Sequence, residues 1–78
     1  MKVAIYGASG YTGQELMRLL FRHPDVDVAV VTSRKFKGVP VADVFPQFVG
    51  VTDLRFSDIP PEEASASADF VFLALPHG

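Results

Sequence analysis

The sequence contains no cysteine and no apolar run long enough to cross a membrane. Without cysteine, the chain has no disulfide framework and no thiol nucleophile of its own. Its apolar segments fall well short of the ~20 residues that a membrane-spanning helix needs, and Lys2 is the single early cation, which does not fit a secretory leader. The net charge of −2 offers no positive excess for nucleic acid. We therefore expect a soluble, cytoplasmic chain that binds neither membranes nor nucleic acid.

Apolar runs predict the strands of a globular core. The chain has 78 residues, of which 49% are hydrophobic, so it forms one domain or part of one. Residues 2–6 and 69–75 are almost continuously apolar, as in parallel strands that are covered on both faces. The valine-rich run at 26–32 predicts another strand. Residues 52–57 predict a short further strand.

Helical signals separate these strands. Residues 11–22 predict a helix that ends before Pro24, and residues 60–68 predict a short helix with an early proline and acids in its first turn. Residues 33–51 predict a long loop with one helical turn at 41–45. The longer helix has an apolar stripe that faces the sheet, formed by Leu16, Met17, Leu19, Leu20 and Phe21.

This order of elements predicts an α/β fold, a Rossmann-type parallel sheet of about four strands with helices on its faces. Strand, helix and strand within about 30 residues form a right-handed βαβ unit, and the expected strand order is 3-2-1-4. The order reverses between the first and fourth strands. Ligands bind at such a point, at the carboxyl ends of the strands, where residues 7–13 and 75–78 should lie.

The stretch GASGYTGQEL (residues 7–16) repeats glycine at every third position as the first strand passes into the helix. Backbone amides and the positive end of the helix dipole there form an anion site that suits a pyrophosphate. We expect Gly7 to permit a tight turn, Gly10 to let phosphates approach the backbone, and Gly13 to let the helix pack closely. The spacing G-x-x-G-x-x-G lengthens the usual dinucleotide fingerprint by one residue, and a purely structural role for the glycines is the alternative.

The end of the second strand indicates which dinucleotide is bound. An NAD site places an acid about 20 residues beyond the glycines to bind the ribose 2′-hydroxyl, but residues 32–37 read TSRKFK. Ser33 can donate a hydrogen bond to a 2′-phosphate, and Arg34 can bind it in a bidentate manner. We predict NADP(H) over NAD(H); the alternative is a solvated basic loop.

Other polar residues near the expected crevice are less specific. Tyr11 and Thr12 either contact the cofactor or begin the helix. His77 follows a strand that ends at the reversal point and is expected to line the crevice, although exposure at a chain end is an equally good explanation.

Taken together, GASGYTGQEL, TSRKFKGVPVADVFP and DFVFLALPHG resemble the start of the N-acetyl-gamma-glutamyl-phosphate reductases, a branch of the semialdehyde dehydrogenase family. The resemblance implies an NADPH-binding Rossmann domain in a homo-oligomeric enzyme of arginine biosynthesis. Such an enzyme reduces the acyl phosphate of N-acetyl-glutamyl phosphate to a semialdehyde, through a cysteine thioester, with hydride from the nicotinamide and a histidine assisting proton transfer.

The resemblance also implies residue roles. The loop residues Gly10, Tyr11, Thr12 and Gly13 would hold the pyrophosphate, and Ser33 and Arg34 would serve the adenosine phosphate. Gly7 and Ser9 are also expected among the cofactor-binding residues. The segment Leu75, Pro76 and His77 would approach the cofactor near its middle or its nicotinamide end.

One departure limits the inference. The nucleophilic cysteine, the catalytic histidine and the substrate domain of the family lie outside these residues. We therefore expect residues 1–78 to be the N-terminal part of the cofactor domain, inactive alone. A related aminoadipyl-phosphate reductase of lysine biosynthesis, aspartate-semialdehyde dehydrogenase, a stand-alone nucleotide-binding module and a purely structural βαβ piece remain alternatives.

Overall fold

The protein is built on a parallel sheet whose central strand is the first one in the chain. The computed structural model describes the backbone of residues 1–74 and their side chains except that of Pro61. Within this part, the strands are β1 (Lys2–Tyr6), β2 (Asp27–Val31) and β3 (Phe70–Leu73). Their order is β2-β1-β3, and both pairings are parallel. The order of strands therefore reverses beside β1, as the sequence predicted.

The prediction that β1 is covered on both faces is confirmed. Val3, Ala4 and Ile5 are completely buried although their side chains alternate between the two faces. A strand that is buried on both sides needs apolar residues at successive positions rather than every second one. The run KVAIY supplies them.

The helix α1 (Tyr11–Leu20) connects β1 to β2 and packs against both. Met17 is fully buried, and Leu16, Leu20 and Phe21 pack partly buried against the core. The assignment of Leu19 to this stripe is wrong, because 56% of Leu19 is exposed. Two positions correspond to about 200° around a helix, so Leu19 lies nearly opposite Met17.

Aromatic side chains organise the segment after β2. The predicted helical turn is present as α2 (Val41–Val44), and a 3-10 turn follows at Pro46–Phe48. The rings of Phe21 and Phe48 meet edge to face at 5.2 Å between centroids. Phe56 is almost fully buried and contacts the ring of Phe45. This segment therefore covers the core through its side chains, with little regular backbone structure.

The predicted strand at 52–57 is wrong as a regular element. Only isolated bridges occur there, a parallel one between Thr32 and Ser57 and an antiparallel one between Pro40 and Arg55. The backbone of Phe56 bonds to residues 38 and 39, whereas Ser57 bonds to Val31 and Ser33. Because its hydrogen bonds are divided between two partners, the segment forms no continuous ladder with β2. Among residues 1–74, the sheet thus has three strands, and this segment runs beside the end of β2, where a third strand was expected.

The prediction that the last strand is buried on both faces is also wrong. Phe70 is 57% exposed and Leu73 is 64% exposed, and Phe72 is exposed as well. Phe70 and Phe72 share one face, and Leu73 lies on the other. The helix α3 (Pro61–Ala66) contacts β1 and β3, but its six residues are too few to cover a strand. Apolar content predicted the strand but not its burial, which depends on the elements that pack against it.

Across residues 1–74, no helix is long and apolar enough to span a bilayer.

Candidate functional site

The loop between β1 and α1 requires glycine at two positions for packing. Gly7 has φ +76°, a conformation that side chains rarely adopt, and a Cβ there would lie 2.7 Å from the Ala74 carbonyl oxygen. A Cβ on Gly13 would lie 2.4 Å from the Ala8 carbonyl oxygen and 2.5 Å from its Cα. The tight turn and the close approach of α1 that the sequence predicted are therefore both present.

Gly10 differs from these glycines because the described residues leave room for a Cβ beside it. It has φ −79°, which any residue adopts, and a Cβ would have its nearest neighbour, the Gly7 carbonyl oxygen, at 3.9 Å. Nothing in the described residues requires glycine here. An open space next to bare backbone is what a ligand needs in order to come close.

The amino end of α1 presents free amides to that space. Gly10 precedes the helix without a side-chain cap, and its carbonyl accepts the amide of Gln14. The amides of Tyr11, Thr12 and Gly13 have no acceptor within residues 1–74. The first turn also contains no acidic side chain that would neutralise the helix dipole. These features are typical of anion sites at helix amino ends.

The earlier amides of the loop are already used. The Gly7 amide donates to Thr32 Oγ1 at 3.0 Å, and the Ala8 amide donates to the Thr32 carbonyl at 2.7 Å. The sequence patterns did not predict a role for Thr32. The feature that could have indicated one is a hydroxyl side chain directly after a strand, at the position where that strand reaches the glycine loop.

Ser33 and Arg34 follow β2 beside the same loop. Ser33 is almost fully buried; its hydroxyl donates to Ser9 Oγ at 2.9 Å and accepts the Phe36 amide at 3.2 Å. Arg34 is exposed, and no ion pair joins it to another described residue. Lys35 lies over the ring of Phe36, 5.3 Å from its centroid. The exposed guanidinium of Arg34 can bind a phosphate, whereas the one proton of the Ser33 hydroxyl is already donated to Ser9.

The remaining predicted site residues divide into two groups. Tyr11, which is 79% exposed, and Thr12 lie at the start of α1, on the side of the free amides. Their contact with a cofactor stays a prediction. The predicted residues Leu75, Pro76 and His77 lie outside the described residues. In the described part of the chain, no group of three or more histidine or acidic residues could hold a metal ion.

The parallel sheet with its reversal beside β1, the glycine turn and the uncapped helix define a Rossmann-like nucleotide-binding domain. A family model described as the NAD-binding domain of semialdehyde dehydrogenase matches residues 2–78. The chain belongs to the semialdehyde dehydrogenase family.

The curated relatives are reductases of acyl phosphates by name. N-acetyl-gamma-glutamyl-phosphate reductases from Methanoregula boonei and Acinetobacter baumannii are 52% and 53% identical over 99% and 100% of this chain. The LysW-L-2-aminoadipate/LysW-L-glutamate phosphate reductase of Saccharolobus solfataricus is 45% identical over 100% of it. The chain spans only 22–23% of the length of these relatives. The resemblance predicted from the three motifs is therefore confirmed over the whole chain.

A solved structure supports the fold. The aspartate semialdehyde dehydrogenase of Candida albicans, crystallised with NADP, superposes with a TM-score of 0.78 at 25% identity. The match covers 96% of this chain and 23% of that protein.

Proposed function

We propose that this chain binds NADP(H) as the cofactor-binding part of an acyl-phosphate reductase of the N-acetyl-gamma-glutamyl-phosphate type. The observation that carries the proposal is that Gly10, where a Cβ would meet nothing closer than 3.9 Å, is followed by three amides without acceptors in residues 1–74, those of Tyr11, Thr12 and Gly13. These groups match a pyrophosphate in charge and in hydrogen-bonding capacity. Packing accounts for Gly7 and Gly13, whereas no close contact in the described residues accounts for Gly10.

The choice of NADP(H) over NAD(H) rests on Ser33 and Arg34. The guanidinium of Arg34 is available for a bidentate contact with the 2′-phosphate. Ser33 lies against the glycine loop through its bond to Ser9, and its hydroxyl can donate to the 2′-phosphate only by giving up that bond. An acidic side chain, which would repel a 2′-phosphate and bind a ribose hydroxyl, is absent from the stretch TSRKFK. When bound, the cofactor would supply hydride; the residues described here would hold it and orient it.

The test of cofactor choice is Arg34→Ala, with Lys37→Ala as the matched control on the same exposed segment. We expect Arg34→Ala to weaken NADPH binding by about tenfold or more, because a charge-assisted contact of ~1.5–3 kcal/mol is lost. NADH binding should change little in either variant. Calorimetric titration measures both affinities. Equal losses for NADPH and NADH would remove the assignment of Arg34 to the 2′-phosphate.

The activity of the whole enzyme is the second part of the proposal. We infer that the substrate is N-acetyl-glutamyl phosphate, acted on by a homo-oligomeric reductase in which this chain supplies the cofactor site. The chain has no cysteine, so we expect it to bind cofactor without turnover when isolated. The aminoadipate branch is the second candidate, because a relative with that name is 45% identical over 100% of the chain.

Chimeric enzymes distinguish the two branches. Residues 1–78 would replace the matching N-terminal segment of the Acinetobacter baumannii reductase and, separately, that of the Saccharolobus solfataricus reductase. If the chain comes from the first branch, the first chimera should retain NADPH-dependent activity on its acyl phosphate and the second should lose most of its own. The reverse result would assign the chain to the aminoadipate branch.

A further inference from the structure

Thr32, at the end of β2, is hydrogen-bonded both to β1 and to the glycine loop. It follows β2 directly and is 3% exposed. Its amide donates to the Ile5 carbonyl at 2.9 Å. Its carbonyl and its side-chain oxygen accept the amides of Ala8 and Gly7, at 2.7 and 3.0 Å. The amide, the carbonyl and the side-chain oxygen of Thr32 are therefore all hydrogen-bonded to the backbone of neighbouring segments.

These bonds determine the orientation of the turn. Gly7 has φ +76°, and its amide and that of the next residue both point at Thr32. Beyond this point the chain turns away, with the Gly10 amide only 3.5 Å from the Gly7 carbonyl oxygen. The amides of residues 11–13 are then left without acceptors in the described chain. The loop thus divides its amides between an inner pair that is bonded to Thr32 and an outer set that is open.

Of these bonds, the one from the Gly7 amide to the Thr32 side chain is the one that a substitution can remove. The backbone bonds of Thr32 do not depend on its side chain, but the Gly7 amide needs a side-chain acceptor, which here is the threonine hydroxyl. Valine has nearly the shape of threonine and lacks that oxygen, so the Gly7 amide would lose its acceptor in a poorly hydrated place. The turn would then gain freedom where an ordered array of amides is needed.

We propose that Thr32 is a positioning residue for the cofactor phosphates: by holding the Gly7 amide, its hydroxyl orients the loop so that the open amides converge on the pyrophosphate. This inference rests on the proposed function. It assigns Thr32 no direct contact with the cofactor, in contrast to its neighbours Ser33 and Arg34.

The test compares Thr32→Val with Thr32→Ser, which keeps the oxygen. NADPH affinity should fall about tenfold or more in Thr32→Val and stay within about threefold of the parent in Thr32→Ser. Ser57→Ala serves as the control on the other side of β2, because its hydroxyl contacts the Val31 carbonyl at 3.4 Å and not the loop. That variant should bind NADPH as the parent chain does.

A second ligand separates positioning from general damage. Adenosine 2′-monophosphate has the 2′-phosphate but no pyrophosphate, so its affinity should be unchanged in Thr32→Val. Equal losses for both ligands would indicate a merely structural role and overturn the proposal. Unchanged NADPH binding in Thr32→Val would overturn it as well, while leaving the proposed function intact. If the parent chain bound neither NADPH nor adenosine 2′-monophosphate, both the proposed function and the role of Thr32 would be overturned.

If Thr32→Val does not fold, hydrogen exchange of the backbone amides in the parent chain tests the bond between Gly7 and Thr32 instead. The Gly7 and Ala8 amides should be protected, and those of Tyr11 and Thr12 should exchange rapidly until NADPH is added. A Gly7 amide that exchanges as rapidly as that of Tyr11 would contradict the proposed bond.

Discussion

On one side of β1, β2 has two of its five residues buried and its end is bonded to the glycine loop, whereas on the other side β3 has comparable backbone pairing but no buried residue. Val31 of β2 is completely buried, and Leu73 of β3 is largely exposed. Both strands align with β1 in parallel register. The comparison shows that backbone pairing is enough to place a strand, while burial depends on the layers packed against it. The candidate site depends on both neighbours, because its loop is bonded to the end of β2 and passes beside the end of β3.

The largest expected effect on stability comes from Gly13→Ala, where α1 packs closely against the glycine loop. The added Cβ would overlap three backbone atoms of Ala8, which cannot move away as a flexible side chain could. We expect a loss of about 3 kcal/mol or more in the free energy of unfolding, measured by urea denaturation followed by circular dichroism.

Gly10→Ala is the matched control for that variant. Its Cβ meets nothing closer than 3.9 Å, so the cost in stability should be no more than about 1 kcal/mol. Its NADPH affinity should nevertheless fall sharply, because the methyl group occupies the space in front of the amides. A Gly10→Ala variant that binds NADPH normally would show that this space is not the phosphate site.

The next effect tests the contact between the loop and the end of β3. Gly7→Ala and Gly38→Ala both place a side chain at positive φ, at +76° and +81°. Only the first would also meet the Ala74 carbonyl oxygen, at 2.7 Å. We expect Gly38→Ala to cost about 1–2 kcal/mol and Gly7→Ala to cost clearly more in the same unfolding measurement. Equal losses of stability in the two variants would mean that the backbone at the end of β3 moves away from the added Cβ at little cost. The side of β1 that carries β3 would then be even less rigid than the side that carries β2.

The smallest effect on stability is expected at the exposed strand, from Leu73→Lys. Because Leu73 is largely exposed, the free energy of unfolding should change by no more than about 0.5 kcal/mol. Self-association should decrease, because β3 presents apolar side chains at an edge without a neighbouring strand in the described chain. Sedimentation velocity over a range of concentrations measures this change. Leu19→Lys, which alters a comparably exposed leucine on α1, should leave self-association unchanged.

Much of the fold could be predicted because local pattern and tertiary position agree in most elements. The run at β1 and the periodicity of α1 gave the right elements in the right order, and the glycine spacing located the turn and the close approach of the helix. The segment at 52–57 was mispredicted because alternation of apolar residues does not specify which backbone will accept its hydrogen bonds. Phe56 is buried as a strand residue would be, yet its backbone bonds to residues 38 and 39.

The candidate site also contains residues that the sequence predicted and one that it did not. Ser33 and Arg34 were identified from charge and spacing, because the chemistry of a phosphate site depends on residue type. Thr32 was not assigned a role, although it adjoins them in sequence. Its function depends on the distance from its oxygen to the Gly7 amide, 25 positions earlier in the chain.

The sequence by itself determined the element types, the glycine turn, the absence of a thiol and the family to which the chain belongs. These follow from residue identity and local spacing, which act over a few positions. The tertiary structure alone decided that Leu19 lies outside the buried face of α1, where residues 52–57 bond, how little of β3 is covered and which amides of the loop remain open. Each of these depends on what a distant segment places next to the residue, and a hydrogen bond or a packing contact exists only where both partners meet.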